Sequence, residues 1–261
     1  MQQDIYRQLS ELMGDMLPQF AVPTLGIQVL DIGWGMGECV YELALKYPAS
    51  HITGIAKDKP TVMDAQSLVG GLSNVSVFMQ SFPHLDDSIL APASYELIHL
   101  HFLAVAITLQ EIPQLLLSLA RFSHAGGLIV WTEAELPITT SLAFQRLCSL
   151  LLQALQARGY IHSQGNSLGL TARMGSLLDE AGFKYTHSKA YAIDISARSK
   201  GHDICIAQLS ASRKQIRAFL LESGLMTDST FEDLYGELEQ EIREEQFCGL
   251  LYVRTVIAKH T

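Results

Sequence analysis

No Lys/Arg cluster occurs anywhere in this chain of 261 residues, and its formal net charge is −9 at pH 7. Proteins that grip nucleic acid carry a basic face that releases counterions from phosphates, so a tRNA, rRNA or DNA partner is not expected. No apolar run approaches the length of a membrane span. The start, MQQDIYRQL, lacks a basic flank leading into an apolar stretch. Neither a membrane partner nor a signal peptide is therefore indicated, and a cytoplasmic protein is the plain expectation. The four cysteines, Cys39, Cys148, Cys205 and Cys248, lie far apart with no CxxC pair. They read as reduced, buried or half-buried thiols rather than as a zinc or disulfide framework. Charged residues make up only 17%, against 48% hydrophobic. That balance suits one large α/β domain, or one domain with a small cap, as a monomer or homodimer.

The apolar pattern then sets out an order of elements. Residues 4–16 place Ile5, Leu9, Leu12, Met13 and Met16 on one helical stripe. Strands are expected at 27–32, 51–55, 75–79, 95–101 and 128–133. Helices fall between them, one carrying Val40, Leu43 and Ala44, one over 60–69, and one over 113–122 that Gly126-Gly127 would stop. Such alternation implies a parallel sheet with right-handed crossovers and helices on both faces. Beyond it come helices at 139–157 and 171–181, a strand at 185–195, helices at 212–223 and 230–244, and a last strand at 247–258. Ser229 and Glu232 have capping-box spacing for the helix over 230–244. Five strands plus two gives seven.

The sharpest local signal is Val29-Leu30-Asp31-Ile32-Gly33-Trp34-Gly35-Met36-Gly37, placed after a strand and opening a helix. Glycines there permit a tight turn and close approach of backbone to a ligand, and the free N–H groups at the helix start favour an electron-rich group. A tight βα turn with no ligand would also account for the glycines. Two details favour a ligand. Asp31, two positions before the first glycine, can meet a cationic amino group, and G-x-G-x-G differs from the G-x-G-x-x-G of dinucleotide binders. A ligand with both an ammonium and an adenosine fits better than NAD.

At these residues the chain resembles the class I S-adenosylmethionine (SAM)-dependent methyltransferases, whose D-x-G-x-G-x-G motif DIGWGMG matches. SYELIHLHF resembles that family's fourth-strand segment, HAGGLIVWTE its fifth-strand turn, LLDEAGFKY its late helix-to-strand junction, and LLYVRTVIAKH its final antiparallel strand. The nearest flavour is the small-molecule branch, similar to quinone-biosynthesis and natural-product methyltransferases. The resemblance implies a Rossmann-like seven-stranded, mostly parallel α/β sheet with the last strand antiparallel. It also implies an N-terminal helical lid over 1–24 and a SAM-binding domain over 25–261, with helical cap insertions about 137–168 and 197–245. SAM is the implied cofactor, and a small, fairly apolar metabolite the implied methyl acceptor.

Carried over, Asp31, Gly33, Trp34, Gly35 and Gly37 would surround the methionine end of SAM. The ribose position, acidic in most relatives, is Ala56 here. Lys57 offers a donor nearby, and Asp58 could reach back or cap the helix that starts near Pro60. At the adenine end the usual Asp is replaced by Gln80-Ser81-Phe82. His99 matches a position often near SAM.

Methyl transfer needs in-line positioning more than a fixed catalytic motif, and a base only if the acceptor must lose a proton. His101 and Glu133, at the carboxyl ends of their strands, are the candidate bases. His99 and His101 alternate along one strand and share a face, but no third ligand is identifiable, so no metal is expected. The apolar residues of 139–157, with Phe144 foremost, would join Tyr6, Met13 and Met16 around an acceptor pocket. A methyltransferase-fold protein with cyclase or isomerase chemistry, and a non-catalytic binding subunit, remain as alternatives, motivated by Ala56 and Gln80-Ser81.

Overall fold

The run Gln28–Gly33, apolar toward both faces, forms β1, and the rest of the sheet is laid down on either side of it. In the computed structural model, which describes residues 5–14, 26–33, 36–163 and 165–261, β1 runs parallel to β2 (His51–Ala56) and to β4 (Tyr95–His101). Strand β3 (Val75–Met79) extends the sheet beyond β2, and β5 (Ser123–Ala134) extends it beyond β4, all parallel. Polarity then reverses. Strand β8 (Gly249–His260) pairs antiparallel with β5, with the two-residue β6 (Ile138–Thr139) and, along nearly its whole length, with β7 (Phe183–Asp194). The sheet thus has eight strands in the order β3-β2-β1-β4-β5-β8, with β6 and β7 both on β8. The expected Rossmann-like sheet is present. The eighth strand is β6, too short to leave a pattern in sequence.

Alternation along β1 and β4 divides the core into two layers. Leu30, Ile32, Ile98 and Leu100 point to one face, covered by α4 (Glu111–Phe122) and α6 (Leu170–Glu180). Val29 and Leu97 point to the other, against α2 (Met36–Lys46), with α3 (Lys59–Val69) and α1 (Ile5–Met13) beside it. Buried parallel strands need this double covering, which is why they read as near-continuous apolar runs. A third cluster lies off the sheet, where α5 (Leu142–Ala157), α7 (Lys200–Glu222) and α8 (Asp228–Glu241) bury Leu147, Leu220, Phe231, Leu234 and Leu238 among themselves.

Side chains fix several helix starts. Asp58 accepts from Thr61 N at α3, Ser141 from Phe144 N at α5, and Ser199 from His202 N at α7, each satisfying an N–H that the helix itself leaves without a partner. Two expectations are corrected here. The capping box of α8 is Thr227 with Thr230, not Ser229 with Glu232, and Glu232 instead pairs with Arg213 on α7. Helix α4 ends at Phe122, so Gly126-Gly127 lie within β5 rather than stopping a helix. Their reason is steric. Gly126 has φ +79°, and a Cβ on Gly127 would stand 2.8 Å from the His124 carbonyl oxygen and 3.0 Å from that of Tyr95. The β4–β5 register slips at this point, between Tyr95 and Leu97. Helix α7 also begins a full three turns before the expected residue 212.

Of the lid expected over 1–24, residues 5–14 are described. Helix α1 lies against α2, α7 and β7, with Lys189 Nζ donating to the Met13 carbonyl at 3.5 Å. Among the described residues, no helix is long and apolar enough to cross a membrane.

The core assignment predicts a contrast within α4. Phe122→Ala, at a fully buried position, is expected to destabilise the fold by about 3–5 kcal/mol. Leu117→Ala, 56% exposed on the same helix, should change stability by less than about 0.5 kcal/mol. Urea unfolding midpoints of the two variants check this.

Candidate cofactor site

Register, rather than spacing, assembles the centre of the site. Asp31 pairs across the β1–β4 ladder with His99, and Gly33 with His101. The carboxylate and both imidazoles therefore share the face toward α2, where Cys39 sits one turn in. His99 Nδ1 lies 2.7 Å from Asp31 Oδ1, and His101 Nε2 lies 3.2 Å from Oδ2. Cys39 Sγ donates to Oδ1 at 3.0 Å and stands 3.4 Å from His99 Nδ1. The two rings stack with centroids 5.0 Å apart. All four side chains are closed off from solvent. Burial works to raise the Asp31 pKa, but the charge and hydrogen bond of His101, joined by those of His99, outweigh it and hold the carboxyl well below its ordinary range.

This placement corrects the expected role of Asp31. Both carboxylate oxygens are committed to inward partners, so the side chain is not offered to a ligand's ammonium. It also supplies what sequence did not identify, a third and a fourth donor beside His99 and His101, in Asp31 and Cys39. Gly33 has its own reason to be glycine, since a Cβ there would lie 2.3 Å from the His101 carbonyl oxygen and 2.5 Å from its ring. Gly37 lets α2 approach α3, where a Cβ would meet Ala65 at 3.0 Å. Trp34 and Gly35, between them, lie outside the described residues.

The neighbouring strand ends hold the other expected contacts. Ala56, at the end of β2, is buried. Asp58 is fully used as a cap, with Thr61 N on Oδ1 and the Thr61 hydroxyl on both oxygens, each at 2.9 Å. Lys57 is exposed and reaches the Ala106 carbonyl at 3.5 Å. Gln80, just past β3, is 6% exposed. Its Oε1 accepts from Asp86 N at 2.7 Å, which leaves the buried Nε2 without a partner among the described residues. Ser81 is exposed, and Phe82 packs partly against the sheet core.

Glu133 is not the open loop carboxylate that a catalytic base facing an acceptor requires. It is 1% exposed and ties β5 to the loop after β4, accepting from Leu103 N at 2.7 Å, Ala104 N at 3.3 Å and Trp131 Nε1 at 2.8 Å. Burial outweighs these donors and pushes its pKa up to about 7. His101 is likewise enclosed. Two residues on, Glu135 gathers the returning loop, accepting from Leu168 N, Gly169 N and the Thr171 hydroxyl. In that loop sequence reasoning passed over His162. Neither of its ring nitrogens has a partner among the described residues, and burial, helped by Arg173, draws its pKa down to about 4. A lone histidine in the polar stretch HSQGNS carries no signal that would have singled it out.

The expected acceptor wall is redistributed. Met13 is buried in the core layer with Ile27, Val29, Leu43 and Ile193. Phe144 is buried between α5 and α8, beside Phe231 and Leu238. Both are packing residues. Met16 and the side chain of Tyr6 lie outside the described residues.

Solved structures of similar shape were found across nearly the whole chain. A phosphoethanolamine N-methyltransferase from Haemonchus contortus, bound to S-adenosylhomocysteine, covers 98% of this chain and 53% of its own, with TM-score 0.57 and 14% identity. The geranyl diphosphate C-methyltransferase of Streptomyces coelicolor covers 98% and 79%, with TM-score 0.52 and 11% identity. The fold is that of the class I methyltransferases. The cyclase SpnF shares this methyltransferase fold at TM-score 0.54 and 13% identity, over 99% of this chain and 93% of its own. A tRNA (guanine-N(7)-)-methyltransferase from Burkholderia cenocepacia is 31% identical over 77 residues, which are 29% of this chain and 30% of that protein. The chain thus spans under a third of the curated relative it matches. No family model matches it.

Two buried groups should impose opposite pH slopes on this methyltransferase fold. Glu133 has a folded pKa above its unfolded value near 4.3, so its contribution is present at low pH. It is lost as pH rises to about 7, by up to about 1.4 kcal/mol per pH unit. His162 has a folded pKa below its unfolded value near 6.5, so its contribution is present above that pH and is lost as pH falls toward 4. Relative to wild type, Glu133→Gln should therefore gain stability as pH rises from about 4.5 to 7. His162→Gln should gain as pH falls over the same window. Urea midpoints across this range check both; slopes of the same sign would refute the assignment.

Proposed function

We propose that this chain is a SAM-dependent methyltransferase whose acceptor is a small, fairly apolar metabolite. The observation that carries the reading is the position of the glycine turn. Gly33 ends β1 and Gly37 lies in the first turn of α2, at the switch point where the strand order departs from β1 in both directions. Open α/β sheets bind their ligands in the crevice at such a point. The adenosine end has support in Gln80. Its buried amide donor beside the end of β2 suits the ring nitrogens of adenine, and its oxygen, held by Asp86 N, is not available in its place.

In this reading the backbone of Gly33, Trp34, Gly35 and Gly37 holds the methionine end, with Asp31 and His99 acting from beneath rather than touching it. Lys57 faces the ribose, Ala56 forms an apolar floor, and Ser81 and Phe82 flank the adenine. No base is assigned, because His101 and Glu133 are both enclosed; positioning of the acceptor against the sulfonium methyl supplies the acceleration. A small acceptor is favoured over tRNA by the net charge of −9, despite the short match to a tRNA enzyme. The absent ribose acid keeps one second reading in view, in which SAM is bound but not consumed; a [4+2]-cyclase, SpnF, shares the fold.

Calorimetric titration with SAM and S-adenosylhomocysteine, with NADH as control, is expected to give micromolar binding for the first two alone. Absence of binding overturns the proposal. Gly35→Arg is expected to abolish that binding while leaving the melting temperature within a few degrees. Transfer of labelled methyl to small metabolites and not to tRNA is the expected outcome of a parallel assay. Binding of SAM with no methyl acceptor across that screen favours the second reading.

A further inference from the structure

The geometry points to a closed metal site formed by Asp31, Cys39, His99 and His101, suited to a divalent ion of the zinc type. One donor atom from each residue converges with the others inside 4.8 Å, and all four side chains are buried. Contacts within the cluster run from 2.7 to 3.4 Å. Zinc bonds of about 2.0–2.1 Å to nitrogen or oxygen and about 2.3 Å to sulfur place tetrahedral ligand atoms roughly 3.3–3.6 Å apart. A tetrahedral shell therefore needs the Asp31–His99 contact to open by about half an ångström, and any donor pair near the 4.8 Å bound to draw in.

The donor set narrows the ion. Two imidazoles and a thiolate exclude magnesium and calcium, which take oxygen ligands, and match zinc or a close transition-metal analogue. Charge balances as well. A divalent cation with one carboxylate, one thiolate and two neutral imidazoles sums to zero, as a site without solvent contact requires. Binding releases the thiol proton, and any proton shared between the carboxylate and the rings, to solvent. With four protein ligands there is no open position, so the ion is structural. It joins β1, β4 and the first turn of α2, clamping both ends of the glycine turn from below. This inference does not depend on SAM binding, and its test is made on protein free of SAM.

The test is metal analysis of protein purified without chelator, followed by chelator treatment and titration with cobalt(II). One equivalent of zinc or a related ion per chain is expected. Cobalt should give strong tetrahedral visible bands and a near-ultraviolet thiolate charge-transfer band. Cys39→Ser should lose the charge-transfer band and bind at least roughly tenfold more weakly. Cys248→Ser, at an exposed cysteine, should keep both. A wild-type protein that holds no metal and shows no thiolate band on cobalt titration overturns the proposal, as does a band that survives Cys39→Ser. Should Cys39→Ser fail to fold, the presence or absence of that band in the wild type decides. Protons alone on the Asp–His cluster would then be the occupant.

Discussion

A carboxylate with no access to water governs the centre of this molecule. An ionised Asp31 left alone in the interior would cost several kcal/mol, so its position demands partners, and the surrounding structure is arranged to bring them. His99 and His101 arrive because β4 lies parallel beside β1 in one register and no other. Cys39 arrives because α2 turns back over that same face. Gly33 must lack a side chain because the ring of His101 occupies its place. Gly33, the β1–β4 strand pair and α2 are therefore one solution to one electrostatic demand. A register slip of one residue would turn both histidines to the opposite layer, among Leu30 and Ile32.

The periphery of the site follows a different logic. Side chains expected to hold the cofactor, act as a base or line an acceptor pocket have local duties. Asp58 caps α3, Glu133 ties β5 to the loop after β4, and Phe144 and Met13 fill separate cores. On the proposed reading, binding falls to backbone groups and to a few polar tips such as the Gln80 amide. Because methylating enzymes and a cyclase share this architecture at similar TM-scores, fold alone does not choose among chemistries.

Strands β1 to β5 were legible because parallel strands buried on both faces are short apolar runs, each bounded by turn residues. The misreadings have equally local causes. Gly126-Gly127 imitate a helix stop, yet their glycines answer to a close approach of the Tyr95 carbonyl. The first half of α7, with Lys200, Asp203 and Gln208 among its residues, shows too little apolar periodicity to be seen without its packing partners. The candidate site was legible residue by residue and illegible as a cluster. Asp31 and His99 are 68 positions apart, and only strand pairing makes them neighbours. Cys39 carried no signal because cysteine spacing rules look for ligands near one another in sequence, whereas the members of this cluster come from three separate elements.

The antiparallel half of the sheet carries a consequence for how the chain acquires its shape. Strand β8 bridges β5 and β7, and its Thr255 hydroxyl meets that of Thr132, 123 positions earlier. Until β8 docks, β5 keeps an unpaired edge of buried apolar residues. The parallel half, by contrast, closes within the first 134 residues. Contacts of such long range are slow to form, since loop closure precedes the gain. A half-sheet formed before β8 arrives would present an open border to wrong partners.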